Sequence, residues 1–162
     1  GTPSTQIGPV ADSSQLEQSL KYIEMGKAQG ATLACGGERV SLEKDGFYLS
    51  PALFINTTND MQINREEIFG PVLALMPFDS EEEAIALAND TPYGLAAYIQ
   101  TGDKERARRV AARLRAGMIQ VNGASRAAGS PFGGYKQSGV GREGGFWGIE
   151  EFLEIKTISG IV

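Results

Sequence analysis

The sequence predicts an α/β fold in which helices cover both faces of a parallel sheet, giving three layers. Between residues 72 and 122 the order is strand, helix, strand, helix, strand with short connections, as in parallel sheets with right-handed crossovers. The first of these strands is a continuous apolar run at residues 72–76, which is typical of a strand covered on both faces. A chain of 162 residues with 41% apolar and 22% charged residues has the balance of one folded domain.

The first half of the chain predicts one helix and two strands. Ser14 and Glu17 have the spacing of a capping box, an apolar stripe begins at Leu16, and Gly30 is suited to end the helix. The strands are predicted at residues 31–35 and 47–55. Pro51 has no amide hydrogen to donate to a neighbour, so the second strand is expected at an edge of the sheet.

The second half predicts two helices between its strands. Ser80 and Glu83 form a second capping box, Asp103 is suited to cap the next helix, and Gly117 is expected just after that helix. The strands are predicted at residues 94–101 and 118–122. Near the C-terminus, apolar and charged residues alternate over 153–157, which predicts a half-exposed strand that pairs with the sheet or with another subunit.

Composition excludes several kinds of chemistry. The chain has no histidine and one cysteine, which removes histidine-dependent nucleophile systems, disulfides and clustered cysteine or histidine metal sites. Its net charge of -5 opposes a protein-wide attraction to nucleic acid or anionic lipid. The apolar stretches fall short of the ~20 residues that span a bilayer. We expect no nucleic-acid, membrane or metal partner, and a location in the cytoplasm.

A glycine-rich segment follows the last strand of the predicted sheet. Ligands of such sheets bind beyond the carboxyl ends of the strands, so residues 123–148, with nine glycines, form the predicted functional edge. Within it, residues 139–144 match G-x-G-x-x-G, the spacing of a dinucleotide-binding turn. The motif follows a predicted loop rather than a strand, so a structural glycine-rich loop is favoured.

Two other features have plain structural alternatives. Cys35 is the natural nucleophile for covalent chemistry, but the sequence places no cation beside it, which favours a buried or turn-flanking structural cysteine. Residues 104–115 hold six basic side chains. They indicate either an RNA- or phosphate-binding helix or, as the acidic chain favours, the solvated face of an amphipathic helix.

Two short segments are compatible with either a site or a simple turn. Residues 66–71, Glu-Glu-Ile-Phe-Gly-Pro, place two carboxylates and an aromatic ring before a predicted buried strand. Carboxylates accept hydrogen bonds from sugar hydroxyls and an aromatic ring covers a flat cofactor ring; the alternative is a surface turn. Residues 130–134, Ser-Pro-Phe-Gly-Gly, either form a pocket wall or turn the chain.

Taken together, several segments resemble the C-terminal part of the aldehyde dehydrogenase superfamily. They occur in the order found in that family and span nearly the whole chain, which makes the resemblance specific. The segments are Thr-Gln-Ile-Gly-Pro (5–9), Glu-Glu-Ile-Phe-Gly-Pro (66–71), Asn-Asp-Thr-Pro-Tyr-Gly-Leu (89–95), Val-Asn (121–122), Ser-Pro-Phe-Gly-Gly-Tyr-Lys-Gln-Ser-Gly (130–139) and Gly-Arg-Glu (141–143).

The resemblance implies oxidation of a small-molecule aldehyde to a carboxylic acid, with NAD or NADP as the hydride acceptor. In the family a cysteine thiolate attacks the aldehyde, and a glutamate activates the water that releases the acid. By motif position, Glu67 resembles the carboxylate that holds the hydroxyls of the nicotinamide ribose, and Phe69 resembles the aromatic residue beside the nicotinamide. Their role would be to orient the reacting ring.

The resemblance also implies that this sequence is the C-terminal portion of a longer enzyme. Residues 1–151 correspond to the C-terminal part of the catalytic domain and residues 152–162 to the final strand of the oligomerisation region, so a homodimer or homotetramer is expected. The family's nucleophilic cysteine precedes the segment at residues 5–9, its glutamate base and dinucleotide domain lie further upstream, and Cys35 does not occupy the nucleophile's motif. We therefore expect no catalytic residue and no turnover in these 162 residues alone. The alternative is a non-catalytic oligomerisation or interaction module from a truncated gene.

Residues 123–129 correspond to a wall of the family's aldehyde tunnel, with Arg126 and Ala127 as candidate tunnel residues. The segment consists mostly of small residues and has no aromatic ring, which indicates a comparatively open site. We hypothesise that Arg126 attracts an aldehyde that carries a carboxylate, because a guanidinium pairs well with one. The alternative is an exposed arginine beside the tunnel.

Overall fold

The chain divides after Phe78 into two compact units, each with helices and strands. A computed structural model describes residues 4–42 and 44–161. The predicted α/β class is confirmed. The described strands form a mixed three-stranded sheet and an antiparallel pair in the first unit, and a parallel pair in the second. Over the same residues, no helix combines the length and the apolar character that crossing a membrane requires.

The first unit packs a long helix against its three-stranded sheet. Its helices are α1 (Ser13–Ala28) and α2 (Gln62–Arg65). Its strands are β1 (Thr32–Cys35), β2 (Arg39–Val40), β3 (Tyr48–Leu49), β4 (Ala52–Ile55) and β5 (Val72–Ala74). The sheet order is β1-β4-β5, with β4 antiparallel to β1 and parallel to β5, and β2 pairs with β3. Leu16, Ile23 and Phe54 are among the most buried residues of this core.

Helix α1 begins two residues earlier than the capping box predicts. Asp12 is its N-cap and accepts hydrogen bonds from the Gln15 amide at 2.9 Å and the Ser14 hydroxyl at 2.7 Å. The Ser14 hydroxyl, and next the Gln15 amide, lower the pKa of Asp12. The prediction of Ser14 as the cap was therefore wrong, because the nearby carboxylate is a strong acceptor for the free amides of the first turn. Gly30 follows the helix with a φ of +95°, as predicted.

Strand β4 lies in the middle of the sheet, so the predicted edge position was wrong. Pro51 interrupts the strand expected at residues 47–55 and separates β3 from β4. The amides after the proline are free to pair: Ala52 donates to the Pro71 carbonyl at 2.8 Å, and β4 pairs with both β1 and β5. Phe54 is fully buried at the centre of this strand.

Strand β5 is covered on one face only, which corrects the prediction for residues 72–76. Val72 and Ala74 pack against the core of the first unit. Leu73 and Leu75 are 59% and 46% exposed. Successive side chains of a strand point to opposite faces, and no described element of this unit covers the second face.

The second unit alternates helices with a parallel pair of strands. Its helical elements are α3 (Glu81–Asn89), α4 (Lys104–Arg113), a 3-10 turn (Lys136–Ser138) and α5 (Gly145–Glu150). Strands β6 (Ala96–Ile99) and β7 (Met118–Val121) pair in register, from Ala96 opposite Met118 to Ile99 opposite Val121. The β6-α4-β7 order confirms the parallel crossover that the sequence predicts between these two strands.

Both predicted N-caps of the second unit are present. The Ser80 hydroxyl accepts a hydrogen bond from the Glu83 amide at 3.2 Å, while the Glu83 carboxylate accepts one from the Asp79 amide at 2.7 Å. Asp103 caps α4, and the Arg106 amide at 3.0 Å is the main cause of its lowered pKa. Local capping rules therefore place the start of both helices correctly.

Gly117 does not follow the end of α4, contrary to the prediction. The helix ends at Arg113, with Leu114 as its C-cap, and Gly117 has no positive φ. Its missing side chain matters for another reason: a Cβ there would lie 1.8 Å from the Gly133 carbonyl oxygen. Gly117 thus permits a close approach of two backbone segments.

The basic side chains of α4 face acidic side chains of α3. Arg109 forms two hydrogen bonds of 2.7 Å with Glu81, and Arg113 pairs with Glu82 through two guanidinium nitrogens. Arg106 adds a contact of 3.4 Å to Glu81. The hydrogen bond from Arg109, and the one from Arg113, are the main causes of a lowered pKa at Glu81 and Glu82, respectively. These pairs favour the interpretation of α4 as an amphipathic helix over a nucleic-acid surface.

The strand expected at residues 153–157 does not form within the described chain. Residues 153–161 have neither helical nor strand structure, and Ile155 is 99% exposed. A strand needs a neighbour to satisfy its amides, and the described strands do not supply one. The prediction is therefore wrong for the chain by itself, whereas pairing with another subunit stays a prediction.

Candidate functional site

The loop 66–71, between α2 and β5, carries both predicted cofactor residues. Its Ile68 is 9% exposed and belongs to the core of the first unit. Glu67 and Phe69 flank this anchor and are exposed, Phe69 by 73%. The Phe69 backbone has a φ of +56°. That left-handed conformation costs an aromatic residue roughly 1–2 kcal/mol, so contacts elsewhere in the loop must stabilise it.

Two glutamines of α1 hold the loop at one atom. The side-chain amides of Gln15 and Gln18 both donate to the Ile68 carbonyl oxygen, at 3.0 and 3.2 Å. Residues three apart on a helix lie on the same face, which lets both side chains reach one acceptor. The carbonyl between Glu67 and Phe69 is therefore fixed, and with it the direction in which their side chains leave the loop.

The two adjacent glutamates of this loop differ in their contacts. Glu66 accepts hydrogen bonds from the Tyr22 hydroxyl at 2.6 Å and the Gln62 side chain at 3.2 Å. The Tyr22 hydrogen bond, and next that of Gln62, lower the pKa of Glu66. Across residues 4–42 and 44–161, by contrast, nothing hydrogen-bonds to or pairs with the Glu67 carboxylate. Glu66 fixes the loop, and Glu67 remains available to a ligand.

Gly70 lets the same loop lie directly on α1. A Cβ at Gly70 would be 2.2 Å from the Ser19 hydroxyl oxygen and 3.2 Å from its Cβ. Ser19 is fully buried, and its hydroxyl donates to the Gln15 carbonyl at 2.9 Å. The glycine in the predicted motif is thus required by close packing against a neighbouring side chain.

The predicted tunnel residues of the second unit line a cavity of about 430 Å³ beside β7. Arg126 and Ala127 belong to its lining, together with small side chains such as Ser125 and Ser130. The guanidinium carbon of Arg126 lies over the Phe132 ring, 5.4 Å from its centroid. In the segment 130–134, which the sequence left open between a pocket wall and a turn, Ser130 and Pro131 line this cavity and Phe132 contacts its arginine.

In the glycine-rich segment after this cavity, two cationic side chains donate hydrogen bonds to backbone carbonyls. The Lys136 ammonium donates to the carbonyls of Asn89 and Thr91 at 2.8 and 3.0 Å, at the C-terminal end of α3. Arg142 donates to the Gly134 carbonyl at 2.9 Å. Its guanidinium carbon also lies 5.4 Å from the centroid of the Tyr135 ring. Charge-assisted hydrogen bonds of this kind are stronger than neutral ones, so the two cations fix the path of the loop.

The other candidate site residues inferred from the sequence are not arranged to bind a ligand. Residues 139–144 follow the 3-10 turn and precede α5, a helix of six residues, so the strand-turn-helix context of a dinucleotide motif is absent. Cys35 ends β1 and precedes Gly36, whose φ is +66°; it is exposed, which corrects the expectation of a buried cysteine. In the described residues no three histidine, cysteine or acidic side chains are grouped to hold a metal ion.

Sequence reasoning missed the side chains that support the loop 66–71. Gln15, Gln18 and Tyr22 lie on α1, more than 40 residues away from the groups that they contact. A weak signal exists, because Gln15 and Gln18 border the buried stripe that contains Leu16. Long polar side chains next to an apolar stripe are well placed to reach a neighbouring loop, but the pattern does not indicate which one.

The model of the aldehyde dehydrogenase family matches residues 1–158. The chain belongs to this family. The resemblance inferred from the sequence motifs is thereby confirmed, and members of the family are enzymes.

Individual relatives agree with this assignment. The chain is 50% identical over 157 residues to 3-succinoylsemialdehyde-pyridine dehydrogenase of a Pseudomonas species, covering 96% of this chain and 33% of that protein. A Mycobacterium tuberculosis aldehyde dehydrogenase in complex with NAD+ superposes with a TM-score of 0.89 at 45% identity, over 93% of this chain and 31% of the other. A mutant aldehyde dehydrogenase C of Pseudomonas syringae, in complex with NAD+ and octanal, superposes with a TM-score of 0.90 at 48% identity. The match covers 94% of this chain and 32% of the other. The chain thus spans about a third of the length of these relatives.

Proposed function

We propose that this chain is part of an NAD+-dependent aldehyde dehydrogenase, in which Glu67 and Phe69 hold and orient the nicotinamide riboside. The observation that carries the proposal is the asymmetry of the loop 66–71. Glu66 is bound by Tyr22 and Gln62, whereas Glu67 has no partner among the described residues and lies next to an exposed aromatic ring. Two related enzymes of known structure are complexes with NAD+.

The chemistry of these groups fits a nicotinamide riboside. An ionised carboxylate accepts hydrogen bonds and has room for the two neighbouring hydroxyls of a ribose. An exposed phenyl ring offers a flat apolar surface to a heteroaromatic ring. Because Ile68 is buried and its carbonyl is fixed by Gln15 and Gln18, the two groups are presented by a rigid loop.

When bound, NAD+ supplies the hydride acceptor for aldehyde oxidation. The contribution of this chain is positional: Glu67 fixes the ribose, and Phe69 restricts the angle of the attached ring. Holding reactants in a near-attack geometry contributes several kcal/mol to catalysis, and a loop that is already ordered loses little entropy on binding.

The isolated 162 residues are expected to have no turnover, since they span only about a third of the related enzymes. We further propose that residues 152–162 associate with a second subunit in a dimer or tetramer. In support, Phe152 is 88% and Ile161 84% exposed, and exposed apolar segments favour association. The boundary after residue 151, the cytoplasmic location and NADP as an alternative cofactor stay predictions of the sequence.

The test is steady-state kinetics of the complete enzyme with Glu67→Gln. We expect kcat/KM for NAD+ to fall roughly 10- to 100-fold, the range for a lost hydrogen bond to a charged group. Glu24→Gln is the matched control, because Glu24 forms an exposed pair with Lys27 on α1. No aldehyde-dependent formation of NADH by the wild type would contradict the function. Oxidation with an unchanged kcat/KM for NAD+ in Glu67→Gln would contradict only the role of Glu67.

A further inference from the structure

We propose that Arg126 binds the carboxylate of an aldehyde substrate, so that the enzyme prefers aldehydes with an anionic group over neutral ones. The inference rests on the proposed function, since it takes the cavity beside β7 as the place of the aldehyde. It goes further by assigning a substrate class and a residue that selects it.

The lining of this cavity carries a single charged group among the described residues. Arg126 is the one charged residue among the described residues that line it, and the others are apolar or neutral polar residues such as Met118, Gln120 and Ala124. A volume of about 430 Å³ accommodates a small organic molecule. An anion entering it meets a guanidinium and no opposing carboxylate from the lining.

The Arg126 guanidinium has no acidic partner within the described chain. The arginines of α4 differ from it: Arg109 and Arg113 pair with glutamates of α3, and Arg108 pairs with Glu105. These pairs occupy the donor groups that an incoming anion would use. Arg126 instead contacts an aromatic ring, and among the described residues it has no hydrogen bond or ion pair.

Arg126 contacts the Phe132 ring, and among the described residues its N–H groups make no hydrogen bond. The guanidinium carbon is 5.4 Å from the ring centroid, within the range of a cation–π contact. A guanidinium is planar and donates in its own plane, so donors without a protein partner can make a two-point contact with a carboxylate. The surrounding chain is also fixed, since the Ser130 amide donates to the Ala127 carbonyl at 3.1 Å.

The role of Arg126 is to bind one end of the substrate while the aldehyde at the other end reacts. Such a contact has similar strength in the ground state and in the transition state. Its loss should therefore raise KM for anionic aldehydes and leave kcat nearly unchanged. A merely structural role would affect neutral and anionic aldehydes alike.

The experiment measures kcat and KM of the complete enzyme for two substrate pairs matched in chain length: succinic semialdehyde with butanal, and adipic semialdehyde with hexanal. The variants are Arg126→Met, which keeps the length of the side chain, and Arg126→Lys, which keeps the charge. Arg108→Gln is the control, because it makes the same charge change at an exposed ion pair on α4.

For Arg126→Met we expect KM for at least one of the two semialdehydes to rise roughly tenfold, with butanal and hexanal changed less than about twofold. Arg126→Lys should retain part of the preference, and Arg108→Gln all of it. Oxidation of butanal by Arg126→Met shows that this variant is folded. Equal losses on anionic and neutral aldehydes, or a wild type that prefers neutral ones, would overturn the role of Arg126. An enzyme that oxidises other aldehydes but none of these four would also overturn it, whereas the absence of any aldehyde-dependent NADH formation would contradict the proposed function.

Discussion

The loop 66–71 and the segment 123–144 both present candidate site residues, but they are held by different means. In the first unit, side chains of α1 support the loop: Gln15 and Gln18 bind the Ile68 carbonyl, and Ser19 packs against Gly70. In the second unit, backbone segments lie directly on each other. The Cβ that Gly117 lacks would be 1.8 Å from the Gly133 carbonyl oxygen.

This difference predicts how each region tolerates change. A side-chain support is removed or replaced by a single substitution, and a compensating change at its partner restores the fit. A contact between two backbones has no such partner to alter, since both surfaces consist of main-chain atoms. We therefore expect the first region to be adjustable and the second to be intolerant.

The largest effect is expected for Gly117→Ala. The added methyl group overlaps the Gly133 carbonyl, and relief requires movement of the backbone, which should lower the free energy of unfolding by about 3 kcal/mol. The chain has a single tryptophan, Trp147, which lies in the second unit, so urea unfolding followed by its fluorescence measures this unit.

Gly102→Ala is the matched control for this substitution. Nothing lies within 4 Å of a Cβ at Gly102, and its φ is not in the left-handed range. We expect its unfolding curve to be close to that of the wild type. If Gly117→Ala were as stable as Gly102→Ala, the backbone contact would not be the constraint that separates the two regions.

Local rules predicted the features whose physical cause lies within a few residues. Asp103 and Ser80 cap their helices as expected, because a cap needs a single acceptor next to free amides. Pro51 misled the same kind of reasoning: it excludes a hydrogen bond at one position, and the strand begins just after it in the middle of the sheet.

In the candidate site, too, the local sequence predicts some features, and contacts between distant residues determine the others. The segment containing Glu67 and Phe69 is recognisable by its residues alone, but which of its two glutamates is free depends on Tyr22 and Gln62. Tyr22 is 44 residues from Glu66 in the sequence. Contacts of that separation follow from how elements pack, and no periodicity or motif in the sequence encodes them.

The second prediction, of intermediate size, tests whether the first region is adjustable. Gly70→Ala should lower the free energy of unfolding by about 2 kcal/mol, because its Cβ meets the Ser19 hydroxyl at 2.2 Å. Ser19→Ala removes that oxygen and should cost about 1 kcal/mol alone, through loss of its hydrogen bond to Gln15. In the double variant we expect a favourable coupling of at least about 1 kcal/mol.

Hydrogen exchange of the α1 amides, compared across the two single variants and the double variant, measures this coupling in the first unit. Purely additive losses would show that Ser19 is not the obstacle at Gly70. The comparison between the two regions would then fail, since both would depend on backbone that cannot be adjusted.

The smallest effect concerns acid pH and separates the two units by the kind of donor that holds their carboxylates. Glu66 accepts from the neutral Tyr22 phenol, whereas Glu81 and Glu82 accept from arginines, and in all three the pKa lies below the ordinary value of 4.5. A carboxylate whose pKa is lower in the folded than in the unfolded state stabilises the fold at pH values above the unfolded-state pKa. This stabilisation is lost as the pH falls through the folded-state pKa.

Glu66→Gln should therefore flatten the acid-side fall of the thermal midpoint, measured from about pH 6 to about pH 3, by a similar amount at about 0.02 M and about 0.5 M NaCl. The double substitution of Glu81 and Glu82 by glutamine should flatten it at low salt only, because salt screens an exposed ion pair far more than a hydrogen bond to a neutral phenol. An equal response of both variants to salt would contradict the distinction between the two kinds of support.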